Sequence, residues 1–103
     1  MKLKADKQTS WAEEIDYQWY DGTSTHQFEA SRWNADGCVW MFEITLSYKH
    51  GKLVQGLLAL GTDVNGRELP MKLSRQIAKA LDTPRKRRLA AVLKVVNSIK
   101  ENP

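Results

Sequence analysis

A single cysteine, Cys38, stands in 103 residues, which excludes an internal disulfide framework and suits a reducing, cytoplasmic setting. The two histidines, His26 and His50, have no close spacing to each other or to Cys38, so no metal site is expected. No run approaches the roughly 18 apolar residues of a membrane span. The opening MKLKADKQTSW lacks the charged-then-apolar order of a signal peptide. Glycine-rich phosphate loops, nucleophile elbows and ligand spacings are missing too, so no cofactor is expected. Glu13 and Glu14 are adjacent, and on a strand they point opposite ways rather than forming an acid/base pair. Cys38 falls on the apolar phase of a strand and reads as a core residue, not a nucleophile. The expectation is a protein that is not an enzyme and does not enter a membrane.

What remains is one domain's worth of chain, residues 1–103, with 42% hydrophobic residues, 27% charged residues and a net charge of +4. The charge is unevenly placed. Residues 1–51 carry eight acids and five bases, net −3, and residues 52–103 carry four acids and eleven bases, net +7. All nine aromatics, from Trp11 to Tyr48, fall in the acidic half. Strand propensity explains the aromatics, but helix propensity does not explain a second half poor in Glu.

Residues 1–10 have no period and read as a flexible arm; residues 11–60 read as sheet. Ile15, Tyr17 and Trp19 alternate with polar residues, as in a strand of period two. Asp21-Gly22 and Asp36-Gly37 mark turns, and residues 26–33 between them read as a weaker strand or a short helix. The strongest strand spans 38–48, with Cys38, Trp40, Phe42, Ile44, Leu46 and Tyr48 on one face. A three-residue loop of Lys49, His50 and Gly51 would pair Leu46 with Val54 and Phe42 with Leu58, keeping one face apolar. The exposed edge of that hairpin then needs covering, by the N-terminal strands or by a second copy in a homodimer. Gly61 to Arg67 reads as a loop.

Residues 71–100 form the basic helical part. Leu73, Ile77, Ala80 and Leu81 share one side of a helix over 71–81, opposite Lys72, Arg75 and Lys79. Thr83 as N-cap and Pro84 at the first position start a second helix that buries Leu89, Val92, Leu93, Val96 and Ile99. Strands first and helices after describe an α+β fold, an antiparallel sheet of about four strands with two helices on one face.

The sharpest local feature is Arg85-Lys86-Arg87-Arg88, which opens a helix where the macrodipole disfavours positive charge by about 0.3–1 kcal/mol per group. Contact with phosphate or with an acidic protein would favour it. With Lys72, Arg75, Lys79 and Lys94, this run defines the expected binding surface, and Tyr20 and Trp33 are the aromatics expected to be exposed. The stretch SRQIAKALDTPRKRRLAAVL is similar to a generic DNA-reading helix pair, but Asp82 replaces the usual glycine and Arg88 a usual apolar residue. The expected partner is nucleic acid, DNA or RNA. The rival is an inhibitor or adaptor that docks an acidic protein through the same bases and exposed Trp and Tyr.

Overall fold

The computed structural model describes the chain from Leu3 to Glu101 apart from Trp19 and residues 62–65, and omits the side chains of 34, 38–41, 100 and 101. The core positions expected for Cys38 and Trp40, and the facing of Trp19, lie outside the described residues. The chain runs β1 (Thr9–Gln18), β2 (Thr23–Asn34), β3 (Gly37–Lys49), β4 (Lys52–Leu60), β5 (Arg67–Glu68), α1 (Met71–Leu81) and α2 (Arg85–Glu101). The five strands form one antiparallel meander in chain order, and the fold is α+β.

Strand register explains why the helices lie on one face. Trp11, Ala30, Phe42 and Leu60 align across four strands, as do Glu13, Phe28, Ile44 and Leu58 in the next inward row. A third row holds Ile15, His26, Leu46 and Gly56. Phe28, Phe42, Ile44 and Leu46 are fully buried against Ile77, Val92 and Val96 of the helices. The helical periods place these stripes as the sequence indicates, with Leu73 and Leu89 half-buried at their margins. The turn between the helices lies at the Tyr48 end of the sheet, where burial and the nearby Asp82 carboxylate push the Tyr48 phenol pKa upward.

Several local expectations are corrected. The β3–β4 loop has two residues, because Lys49 pairs with Lys52. His50 (φ 50°) and Gly51 (φ 77°) both take left-handed backbone, as a type I′ turn demands. The register then shifts at Ser47/Tyr48, so that Leu46 faces Gly56 and Phe42 faces Leu60. The extra residue, Val54, returns the later positions to the apolar phase, which a two-residue turn alone would have reversed. Residues 26–33 are strand throughout, inside β2. At the end of the expected loop, Arg67 begins β5, which continues to Glu68 and pairs with Leu58 and Leu57. That pairing, and not the N-terminal strands, covers the β4 edge at Leu57 and Leu58.

Residues 3–10 are also tied down. Thr9 and Ser10 belong to β1. Leu3 donates its amide to Asn97 Oδ1 (2.8 Å), and Asn97 Nδ2 donates back to the Leu3 carbonyl (2.9 Å). Arg32 Nε lies 2.7 Å from Asp6 and holds that carboxyl below its ordinary pKa.

Gly56 sets the distance between α1 and the sheet. A Cβ there would lie 2.2 Å from Ser74 Oγ and 2.8 Å from Ser74 Cβ. Ser74 is fully buried and its hydroxyl has no hydrogen-bond partner, so tight approach has been kept at the expense of a polar group. Gly56→Ala is expected to lower stability by about 1–3 kcal/mol through overpacking. Urea denaturation checks this, and adding Ser74→Gly should restore part of the loss; an unchanged midpoint in Gly56→Ala would refute it.

Candidate functional site

The helical layer presents its bases to solvent. On α1, Lys72, Arg75 and Lys79 are exposed opposite the buried Ser74, Ile77, Ala80 and Leu81. On α2, Lys86, Arg87 and Lys94 are exposed opposite Val92, Leu93 and Val96. The two helices meet along a groove of about 360 Å³, lined by Gln76, Lys79, Ala80 and Thr83 on one side and Lys94, Val95 and Ser98 on the other. The structure therefore brings Lys79 and Lys94 to one depression, although fifteen positions separate them in the chain.

Two members of the basic run engage the sheet, Arg88 partly buried and Arg85 still exposed. Arg88 Nη1 donates to Glu13 Oε1 at 2.5 Å, while Nε and Nη2 donate to the Thr83 carbonyl at 3.1 and 2.9 Å. Glu13 Oε2 lies 2.6 Å from His26 Nε2, so that nitrogen carries the proton. Only 12% of the Glu13 side chain and 22% of the Arg88 side chain are exposed. Burial pushes the Glu13 carboxyl pKa upward, but the hydrogen bonds from Arg88 and His26 and the charge of Arg88 outweigh it and leave a net depression. Arg85 stacks its guanidinium 4.6 Å from the centroid of Trp11, whose other face meets Phe28.

These contacts supply internal reasons for two of the four bases that oppose the helix dipole. Arg88 departs from the helix-pair pattern because it reaches across to β1. Thr83 does not use its hydroxyl to cap α2; it donates it to the Ala80 carbonyl at 2.7 Å and closes the end of α1. Lys86 and Arg87 remain directed to solvent.

Sequence reasoning passed over Glu13, His26 and Arg88 as a group. His26 is the fourth residue of β2, facing inward between Ile15 and Leu46. The available signal was phase: Glu13 alternates with Trp11 and Ile15 on the inward side, where a carboxylate requires a partner. Tyr20 and Trp33 are both exposed, at 108% and 54%. Tyr20 lies in the turn before β2 and Trp33 near that strand's far end, so roughly 30 Å of strand at ~3.3 Å per residue separates them and they do not form one platform.

The outer face of the sheet has the opposite character. Glu29 and Glu43 lie directly across from each other, with Glu14, Asp16 and Glu68 on the same face by register. Lys49 and Lys52, at the hairpin end, are the bases on that face among the described strand residues. Acids and bases that the sequence separates into halves are thus separated by the fold into layers.

Among the described residues no group of three or more His, Cys, Asp or Glu is placed to hold a metal ion. Among the same residues no helix is long and apolar enough to cross a membrane. Comparison of the chain with protein-family models, with curated proteins and with solved structures finds no match.

Proposed function

We propose that the protein is a non-enzymatic module that binds nucleic acid through its helical layer, in the reducing, cytoplasmic setting that its single cysteine suits. The observation that carries this reading is the convergence of Lys79 and Lys94 in the interhelical groove. Lys72 and Arg75 continue the positive surface along α1, and Lys86 and Arg87 continue it toward the start of α2. Long cationic side chains along the sides of an open groove suit phosphates rather than base edges. Binding through this layer is therefore tolerant of sequence. Arg88 is committed to Glu13 and the Thr83 carbonyl, whereas Arg85 lies over Trp11 at the exposed margin of the same surface and can add to it.

The test is affinity for a random duplex and a random single strand across a salt series. If four phosphates are neutralised, log K against log salt falls with a slope of about −3 to −4. The pair Lys79→Glu and Lys94→Glu is expected to weaken binding about 100-fold at ~100 mM salt, with both lysines replaced by repelling charges. Undetectable or salt-independent binding at ~50 mM salt would exclude this function. A second reading, docking of an acidic protein, draws on the apolar floor that Ala80 and Val95 give the groove. A partner retained on the protein after nuclease treatment would favour that reading.

A further inference from the structure

Strand β1 is an edge: it pairs with β2 on one side, and among the described residues nothing pairs with its other side. Its pairing runs without interruption from Thr9↔Arg32 to Gln18↔Thr23, so the strand is long and regular. It has no proline, lysine or bulge, and its protection against unselective pairing is its acids alone, Glu13, Glu14 and Asp16. Its two faces differ in chemistry. On the inward phase Ile15 and Tyr17 are 51% and 60% exposed. Arg85 and Arg88 fasten the start of α2 over Trp11 and Glu13, and α2 ends its course near Leu3, away from Ile15 and Tyr17. On the outward phase Glu14 and Asp16 are exposed, and their cross-strand neighbours, Gln27 and Thr25, offer no positive charge.

This edge discriminates between occupants. A second copy adding its own β1 would bring Glu14 and Asp16 close to the same acids of its mate, and like charges on adjacent strands are unfavourable. A strand with basic residues on its outward phase and apolar residues on its inward phase would instead meet acids at Glu14 and Asp16 and apolar surface at Ile15 and Tyr17. We infer that the β1 edge accepts an extended segment of another protein in which basic and apolar residues alternate, adding it as a sixth strand. The backbone continues the hydrogen-bond ladder, the bases face Glu14 and Asp16, and the apolar side chains cover Ile15 and Tyr17. This surface is separate from the helical groove and does not depend on what binds there.

The probe is the capped octapeptide Thr-Lys-Val-Lys-Val-Lys-Val-Thr, titrated into the full chain at about 150 mM salt, where exposed charges are screened beyond ~8 Å. Saturable binding is expected, with slowed hydrogen exchange at the outward-directed amides of β1. Successive amides of a strand point to opposite sides, so N-methylation of one alternate set should weaken binding at least about tenfold, with two or more hydrogen bonds lost, while the other set is tolerated. Glu14→Lys with Asp16→Lys should also weaken it about tenfold, since attraction becomes repulsion. Lys79→Glu with Lys94→Glu should leave it unchanged. The inference is overturned if binding is absent. It is equally overturned if both methylated peptides bind like the parent, which is attraction by charge alone. Sedimentation showing a dimer of the chain closed through β1 would overturn it as well.

Discussion

Glu13→Ala is expected to lower folding stability by about 3 kcal/mol, a large share of the ~5–15 kcal/mol that holds a typical domain together. The substitution leaves the Arg88 guanidinium mostly covered, with the Thr83 carbonyl as its remaining acceptor. It also removes the acceptor of His26. Breaking a fully buried pair costs about 3–5 kcal/mol, and the residual exposure here places the value at the lower end. Replacing both partners by apolar residues, Glu13→Leu with Arg88→Met, should recover most of the loss. The network also predicts a pH dependence. The Glu13 pKa is lower in the folded protein than its ordinary value of 4.5, so its contribution is fully present above that value. It declines as pH falls from 4.5 toward and through the lowered folded pKa. In Glu13→Gln that part of the acid slope should vanish. Urea midpoints for wild type and variants across the acid range check both points; equal midpoints near neutrality would show that the pair contributes nothing.

Phe28→Ala should be at least as damaging, at about 3–5 kcal/mol. Phe28 is fully buried. Its ring stacks between Trp11, with centroids 5.1 Å apart, and Phe42 at 6.1 Å. Removing it opens a cavity between the second strand and the helices, and takes away the surface on which Trp11 rests. Arg85, which lies over the far face of Trp11, should lose its fixed position as well. Phe28→Leu keeps most of the volume and should fall between wild type and Phe28→Ala. Circular dichroism in urea is the suitable readout, because indole fluorescence would report the altered setting of Trp11. A shift of the midpoint at constant slope is expected; an unchanged midpoint would mean that the ring column is not a source of stability.

The faces of the elements were legible because burial has a period. Phe42, Ile44 and Leu46 repeat every second residue, and Val92, Val96 and Ile99 follow helical spacing, so each reports its inward side locally. The hairpin register was not legible in the same way. It depends on Val54, a residue inserted in the ladder, and nothing in Lys52-Leu53-Val54 marks it as the bulged member. The Glu13–Arg88 pair joins positions 75 apart, and no local pattern encodes a contact at that separation. Its traces were two charges on apolar phases, one on a strand and one on a helix. Of the basic cluster, the sequence indicated which residues are charged but not which ones are free to bind. Arg85 and Arg88 resemble Lys86 and Arg87 in every respect except the neighbours the fold provides.

The layering of charge makes the molecule an electric dipole whose axis runs normal to the sheet. The positive pole is the helical surface, and the negative pole is the open strand face with Glu14, Glu29 and Glu43. In the field of any large ion such a body experiences a torque before it makes contact. An approaching polyanion turns the helices toward itself, and a polycation turns the strands. Orientation is therefore selected during diffusion, and collisions with the wrong face are discouraged. A net charge of +4 gives little long-range pull. The separation of charge across the thickness of the fold makes the encounter directional, so its rate should decline with ionic strength more steeply than the net charge alone implies.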